Sequence, residues 1–354
     1  MTTSQSSSSP SSSPSSSSSP SSSPSSSTTP ASAVGSCPFA ENVRTHVAKS
    51  VVGQQVVVER VMIALLTGGH LLLEGVPGIA KTLIVQSVAK AIDLKFSRVQ
   101  FTIDLLPSDI LGSEILDQRS SEFRIHRGPI FTNLLLADEI NRASPKVQSA
   151  LLEAMQERKV SIGDTSHVLP APFLVIATQN PIEQSGTFEL PEAQLDRFML
   201  RHRFSYPTAE EETEVVRRSL KLKLLRQGDG AVPMTAFDAI EEGSKLHLRD
   251  LSQSMAAVQT VHVSEVFLRD CVELVHLTRK HADVELGCSP RAALALVHAS
   301  RARAFLCGRD YTIPEDFFAL AEDVILHRMR LTYEALALGR KPTDVLAQML
   351  RSLA

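Results

Sequence analysis

Short apolar runs alternate with helical periods from Phe39 to about Phe204, and the alternation stops beyond Pro207. Residues 71–73, 99–101, 134–136 and 173–176 are apolar runs of strand length. After the first run, Ile84, Val88 and Ile92 recur every four residues. Between the last two runs, Ser144-Pro145 supplies an N-cap and a first helical proline ahead of Val147, Ala150, Leu151, Ala154 and Met155. That helix is predicted to end near Arg158 and Lys159. Residues 160–168, with Gly163-Asp164 at their centre, then read as a hairpin projecting from the sheet. Strands separated by helices predict an α/β domain with a largely parallel sheet.

Beyond Pro207 the strand pattern gives way to helix starts. Thr208 with Glu211, Ser264, Ser289-Pro290, and Thr312 with Glu315 each precede an amphipathic run, so this part reads as an all-α domain. Residues 226–252, mixed Gly, polar and charged, read as a loop or weak linker within it.

Composition adds a third segment. Of the first 36 residues 21 are Ser and 5 are Pro, and no charged side chain precedes Glu41. Such a stretch buries too little to offset chain entropy, so residues 1–36 read as a disordered tail, either a plain spacer or a phosphorylated tether. The expected organisation is therefore tail 1–36, α/β core 37–205 and helical domain 206–354. A net charge of -3 and a pI near 6.4 give no basic footprint, which disfavours strong non-specific nucleic-acid binding and polybasic membrane recruitment. No apolar run approaches the roughly 20 residues that span a bilayer, and the tail lacks the charged and apolar regions of a secretory signal. Four scattered cysteines form neither a C-x-x-C nor a Cys/His cluster, so neither a disulfide framework nor a zinc site is expected. A cytoplasmic location fits these features.

The chemistry concentrates in the α/β part. Gly75-Val76-Pro77-Gly78-Ile79-Ala80-Lys81-Thr82 follows a predicted strand and opens a predicted helix, the context of a P-loop. There backbone N–H groups wrap the phosphates of ATP, the lysine bridges the β- and γ-phosphates, and the hydroxyl ligates Mg2+. Ala80 stands where the usual pattern has glycine. Residues 134–137 form an apolar strand ending in Asp138 and Glu139, which suits Asp138 to Mg2+ and Glu139 to the attacking water. Alone, such a strand end is more often plain surface; a P-loop upstream reverses that weighting. Asn180, at the end of the next strand, is positioned to bond the γ-phosphate and the lytic water, although Asn before Pro is also a common turn. Arg197 is either a solvated residue or a charge aimed at a neighbouring subunit's ATP. Arg291 sits in a helix's first turn, where a cation opposes the macrodipole unless an anion lies nearby.

Together these stretches resemble the MoxR-type AAA+ ATPases of the helix-2-insert class. The resemblance rests on Val51-Val52-Gly53-Gln54-Gln55, on 69–82, on 100–112, on 137–157 and on 191–198, and it excludes the tail. It implies Lys81 and Thr82 as Walker A, Asp138 and Glu139 as Walker B, Asn180 as sensor 1 and Arg291 as sensor 2. It also implies Gly53 and Gln54 at the adenine pocket and Arg197 as a trans-acting arginine finger, with Arg201 and Arg203 as rivals. Residues 111–128 resemble the helix-2 insert, and 160–169 the hairpin before sensor 1. By the same resemblance, ATP sits between the αβα core and the helical lid of a homo-oligomeric ring, most often six subunits. Relatives resemble chaperones that assemble or activate protein complexes, often with a von Willebrand factor A domain partner.

Two other classes remain in view. A nucleic-acid-associated motor shares the insert, but net acidity, three Tyr and no Trp argue against it. A nucleotide-gated scaffold that does not hydrolyse ATP is disfavoured because every catalytic position is filled. A small-molecule P-loop kinase would explain neither the strand leading to Asn180 nor a helical domain carrying Arg291.

Overall fold

All four apolar runs become strands of one parallel sheet in a computed structural model of the chain, which describes residues 37–76, 78–118, 121–181, 186–227, 230–240 and 246–353. The Ser/Pro tail and Pro77 lie outside the described residues. Helices α1 (Pro38–Ser50) and α2 (Gln55–Thr67) precede β1 (Leu71–Glu74), which runs through the glycine loop into α3 (Lys81–Ala91). Next come β2 (Phe96–Gln100), the short α4 (Pro107–Leu111) and an antiparallel hairpin, β3 (Gly112–Asp117) with β4 (Glu122–Arg127). This part continues through β5 (Leu134–Asp138), α5 (Pro145–Glu157), the hairpin β6 (Lys159–Ile162) with β7 (Thr165–Val168), and β8 (Leu174–Gln179). It ends with the single turn α6 (Glu192–Leu195) and β9 (Leu200–Arg203).

The strand order is β2-β5-β8-β1-β9, with every neighbouring pair parallel. Both faces are covered, which is why the central strands read as unbroken apolar runs. Leu71, Leu73, Leu134, Leu136 and Ile176 join α1, α2 and α3 on one face. Leu72, Leu135, Ala137 and Val175 pack with Val147 and Leu151 of α5 on the other. Strand β9 goes beyond the four expected. Its Leu-Arg-His-Arg sequence carries no apolar run, because an edge strand needs only one buried anchor, here Leu200.

The second half contains α7 (Ala209–Ser219), β10 (Leu224–Gln227), β11 (Gly230–Pro233), α8 (Leu248–Thr260) and α9 (Glu265–Lys280). It continues with β12 (Val284–Leu286), α10 (Pro290–Leu306), α11 (Pro314–Ile325), β13 (Arg330–Leu331), α12 (Tyr333–Ala337) and α13 (Pro342–Arg351). Two expectations need correction here. The stretch read as a loop holds most of the β10–β11 hairpin and the start of α8; the hairpin's described side chains are exposed on both faces, so no alternation marks it. Helix α11 starts one residue later than Thr312 and Glu315 suggest, because Asp316 accepts from the Ile313 N–H at 3.0 Å while also pairing with Arg303 and Arg309. Among the described residues, the buried cluster of the helical half is continuous with that of the α/β part. Leu296 and Ala299 of α10 belong to the same buried cluster as Val61 and Met62 of α2. Across this junction Arg60 of α2 reaches Asp323 of α11 at 2.5 Å and the Ala319 carbonyl at 2.7 Å.

Candidate active site

The carboxyl ends of the strands gather Glu74, Gln100, Asp138, Gln179 and Arg203 on one edge of the sheet, where open α/β folds place their ligands. The glycine loop starts there. A Cβ at Gly75 would fall 2.6 Å from Ile79 and 2.9 Å from Phe204, so the close approach of chain segments requires glycine. The Gly75 N–H donates to the Gln179 carbonyl at 3.2 Å, anchoring the loop to β8. Gly78 has φ +85°, and Ala80 adopts the left-handed conformation at φ +61°. The methyl group at Ala80 is thus tolerated, at a cost of about 1 kcal/mol or more in backbone strain. Lys81 heads α3 and donates to the Gly75 carbonyl at 2.7 Å across the mouth of the loop, and Val76 and Ile79 line a small cavity with Gly75 and Phe204.

Asp138 and Glu139 stand opposite. Thr178, on the neighbouring β8, donates to Asp138 Oδ1 at 2.6 Å and accepts the Glu139 N–H at 2.8 Å, so one hydroxyl fixes both residues. Glu139 leaves the strand in the left-handed conformation (φ +58°), turning its side chain out of the sheet. Its carboxylate accepts from Gln100 at 2.7 Å and Arg142 at 3.2 Å. The other Asp138 oxygen, Oδ2, lies 3.4 Å from Thr82 Oγ1 and accepts two bonds from Arg98 at 2.7 and 3.1 Å. Among the described residues no three His, Cys, Asp or Glu converge, so no all-protein metal cage exists. One hydroxyl with one carboxylate is the partial oxygen set that suits Mg2+ held jointly with nucleotide phosphates.

Asn180 is buried and lines a cavity of about 520 Å3 with Glu74, Asn141, Glu189 and Arg201. Arg201 and Arg203 both reach Glu74, the residue before the glycine loop, at 2.6 and 3.2 Å. These two arginines are therefore committed to a carboxylate of their own chain. Gln54, itself left-handed at φ +56°, reaches the Ser205 carbonyl at 3.5 Å, and Gly53 lies against the Glu211 carboxylate of α7. Both thus sit near the segment that leaves β9 beside the loop.

Arg197 and Arg291 lie elsewhere. They line a second cavity, of about 350 Å3, walled by Gly68, Gly69 and His70 at the start of β1, the opposite end from the glycine loop. Arg291 comes within 4.0 Å of Asp196, whereas the Arg197 guanidinium bonds to no described residue. Arg291 thus lies at the end of β1 away from the glycine loop of its own chain. Its helix docks through Ser289 onto Asp196, which brings the helix start to the Arg197 edge.

Sequence reasoning missed Glu74, Arg98, Gln100 and the role of Thr178. Their only signal is position: each lies on a strand beside a residue that was singled out, with partners about 40 residues or more away.

Comparison with known proteins supplies the lineage. A family model described as "ATPase family associated with various cellular activities (AAA)" matches residues 70–200, and an AAA lid domain model matches residues 276–349. Chaperone MoxR1 of Mycobacterium tuberculosis is 45% identical over 317 residues, covering 87% of this chain and 80% of that protein. Protein MoxR of Methylorubrum extorquens is 31% identical over 308 residues, covering 82% and 88%. A crystal structure of a Cytophaga hutchinsonii protein, provisionally assigned as an ATPase, superposes with a TM-score of 0.79 at 42% identity, covering 88% of this chain and 94% of that one.

Proposed function

The chain belongs to the MoxR family of AAA+ ATPases, and on that premise we propose that it hydrolyses Mg-ATP in a homo-oligomeric ring and remodels or activates a protein complex. The observation that carries this reading is the convergence of Lys81, Thr82, Asp138 and Glu139 at one sheet edge, locked by Thr178. Backbone N–H groups of residues 75–80 and the start of α3 bind phosphate, and Lys81 exchanges the Gly75 carbonyl for phosphate oxygens. Thr82 and Asp138 would hold Mg2+, which supplies charge neutralisation on the phosphates. Glu139 takes the proton of the attacking water, and Asn180 orients that water. Gly53 and Gln54 contact the adenine side.

Arg197 and Arg291 face away from their own glycine loop, so both serve the nucleotide of the adjacent subunit. An unpaired, half-buried guanidinium costs free energy alone and gains it against a neighbour's γ-phosphate. Ring assembly, with six subunits as the expected number, then becomes a condition for turnover. A chaperone-like role follows from the similarity to Chaperone MoxR1 of Mycobacterium tuberculosis, and a von Willebrand factor A domain partner follows from the family resemblance. No helix among the described residues is long and apolar enough to cross a membrane; a cytoplasmic site of action is part of the proposal.

Phosphate release from Mg-ATP, measured at rising protein concentration, tests the reading. Specific activity that climbs until assembly is complete agrees with a shared site; absence of release at every concentration, with partner or without, contradicts it.

A further inference from the structure

We propose that Arg98 is a positioning residue that competes with the divalent cation for Asp138, and so sets the metal concentration at which the nucleotide site fills. The inference rests on the reading of Thr82 and Asp138 as the metal-holding pair. Asp138 has two oxygens with separate commitments. Oδ1 accepts the Thr178 hydroxyl at 2.6 Å. Oδ2, the oxygen nearer Thr82, accepts two N–H groups of the Arg98 guanidinium at 2.7 and 3.1 Å. A metal ion taking its carboxylate ligand from this side must share or displace that guanidinium, because two cations on one oxygen repel.

The surroundings let Arg98 move. Its side chain is 48% exposed whereas that of Asp138 is 11% exposed, so Arg98 can swing into water while the carboxylate stays on Thr178. Strand alternation puts Arg98 and Gln100 on one face of β2, and Arg98 also donates to Gln100 at 3.1 Å. β2 thus holds Asp138 through Arg98 and Glu139 through Gln100. A purely structural Arg98 would support the metal ligand, and its loss would weaken metal binding. A competing Arg98 predicts the opposite sign.

The experiment titrates Mn2+ into the full chain with a non-hydrolysable ATP analogue and counts free Mn2+ by electron paramagnetic resonance. Arg98→Gln is expected to bind Mn2+ about two- to fivefold more tightly than wild type, the range for a half-exposed ion pair. Arg98→Lys keeps the charge and is expected to stay near wild type, and analogue binding without metal should not fall in either variant. Equal or weaker Mn2+ binding by Arg98→Gln, with the analogue still bound, overturns the proposal. Analogue binding without any Mn2+ uptake by wild type removes instead the metal assignment of Thr82 and Asp138, and the proposal with it.

Discussion

Asp196 accepts the Ser289 hydroxyl on both carboxylate oxygens, at 3.0 and 2.9 Å, so the residue before Arg197 and the residue two before Arg291 are joined by one carboxylate. The same group receives Arg328 at 2.9 Å, a guanidinium that is 5% exposed and also bonds the Phe198 and Val324 carbonyls. Core and helical half are therefore registered to each other where the two outward arginines emerge.

Asp196→Ala leaves Arg328 buried without its counter-charge, a loss of about 3 kcal/mol or more. Urea unfolding should show the midpoint falling. The variant should still bind an ATP analogue, because the glycine loop lies at the other end of β1, and should release phosphate slowly because Arg197 and Arg291 are no longer fixed. A midpoint equal to wild type would remove Asp196 from this role.

Glu139→Gln keeps the side chain's volume and its contact with Gln100 but cannot take a proton. We expect ATP to remain bound with turnover reduced by about 100-fold or more. Wild-type phosphate release from that variant would take Glu139 out of the reaction.

Ala80→Gly relieves a left-handed alanine. Strain relief of about 1–2 kcal/mol, less the extra chain entropy of glycine, should stabilise the protein by about 0.5–1 kcal/mol. Thermal unfolding measures this, and a lower melting temperature would show that the φ of +61° carries no strain.

Stability should depend on pH through two buried histidines. His70 bonds the Met155 carbonyl and accepts the Val175 N–H, and burial lowers its pKa from 6.5 to about 4. His327, also buried, is lowered well below the usual histidine range by the same cause and by nearby Arg328. The unfolded chain binds these protons near pH 6.5 and the folded chain refuses them, so the stabilisation is complete above pH 6.5 and is lost as pH falls toward 4. For His70 alone the full loss is about 3 kcal/mol. Urea midpoints should drop between pH 7 and pH 5, above the range where carboxylates titrate; a flat profile there would contradict the neutral assignment.

The parts legible in the sequence are those whose meaning is local. Strand, glycine loop and helix are contiguous from Leu71 to Ala91, and Asp138 and Glu139 end their own apolar run. The hairpin at 160–168 is marked by the Gly163-Asp164 turn at its centre. What escaped depends on strand order, which a single sequence does not report: Thr178 meets Asp138 only because β8 lies beside β5, and Arg98 only because β2 does. Strand β9 escaped because its cations face Glu74 rather than a core. Arg291 was conspicuous as a cation opening a helix, yet its direction was set by Ser289 docking on Asp196, a contact across 93 residues.

In the proposed ring, one subunit's glycine loop is completed by the next subunit's Arg197. Mixing Arg197→Ala with Glu139→Gln tests it most directly, with phosphate release as the readout. Each variant alone should be nearly inactive. In an equal, randomly assembled mixture about a quarter of the sites pair an intact Glu139 with a neighbour's intact Arg197, so activity should recover to about a quarter of wild type. A mixture no more active than the two variants measured separately, under conditions where they co-assemble, would place Arg197 in service of its own subunit and contradict the claim.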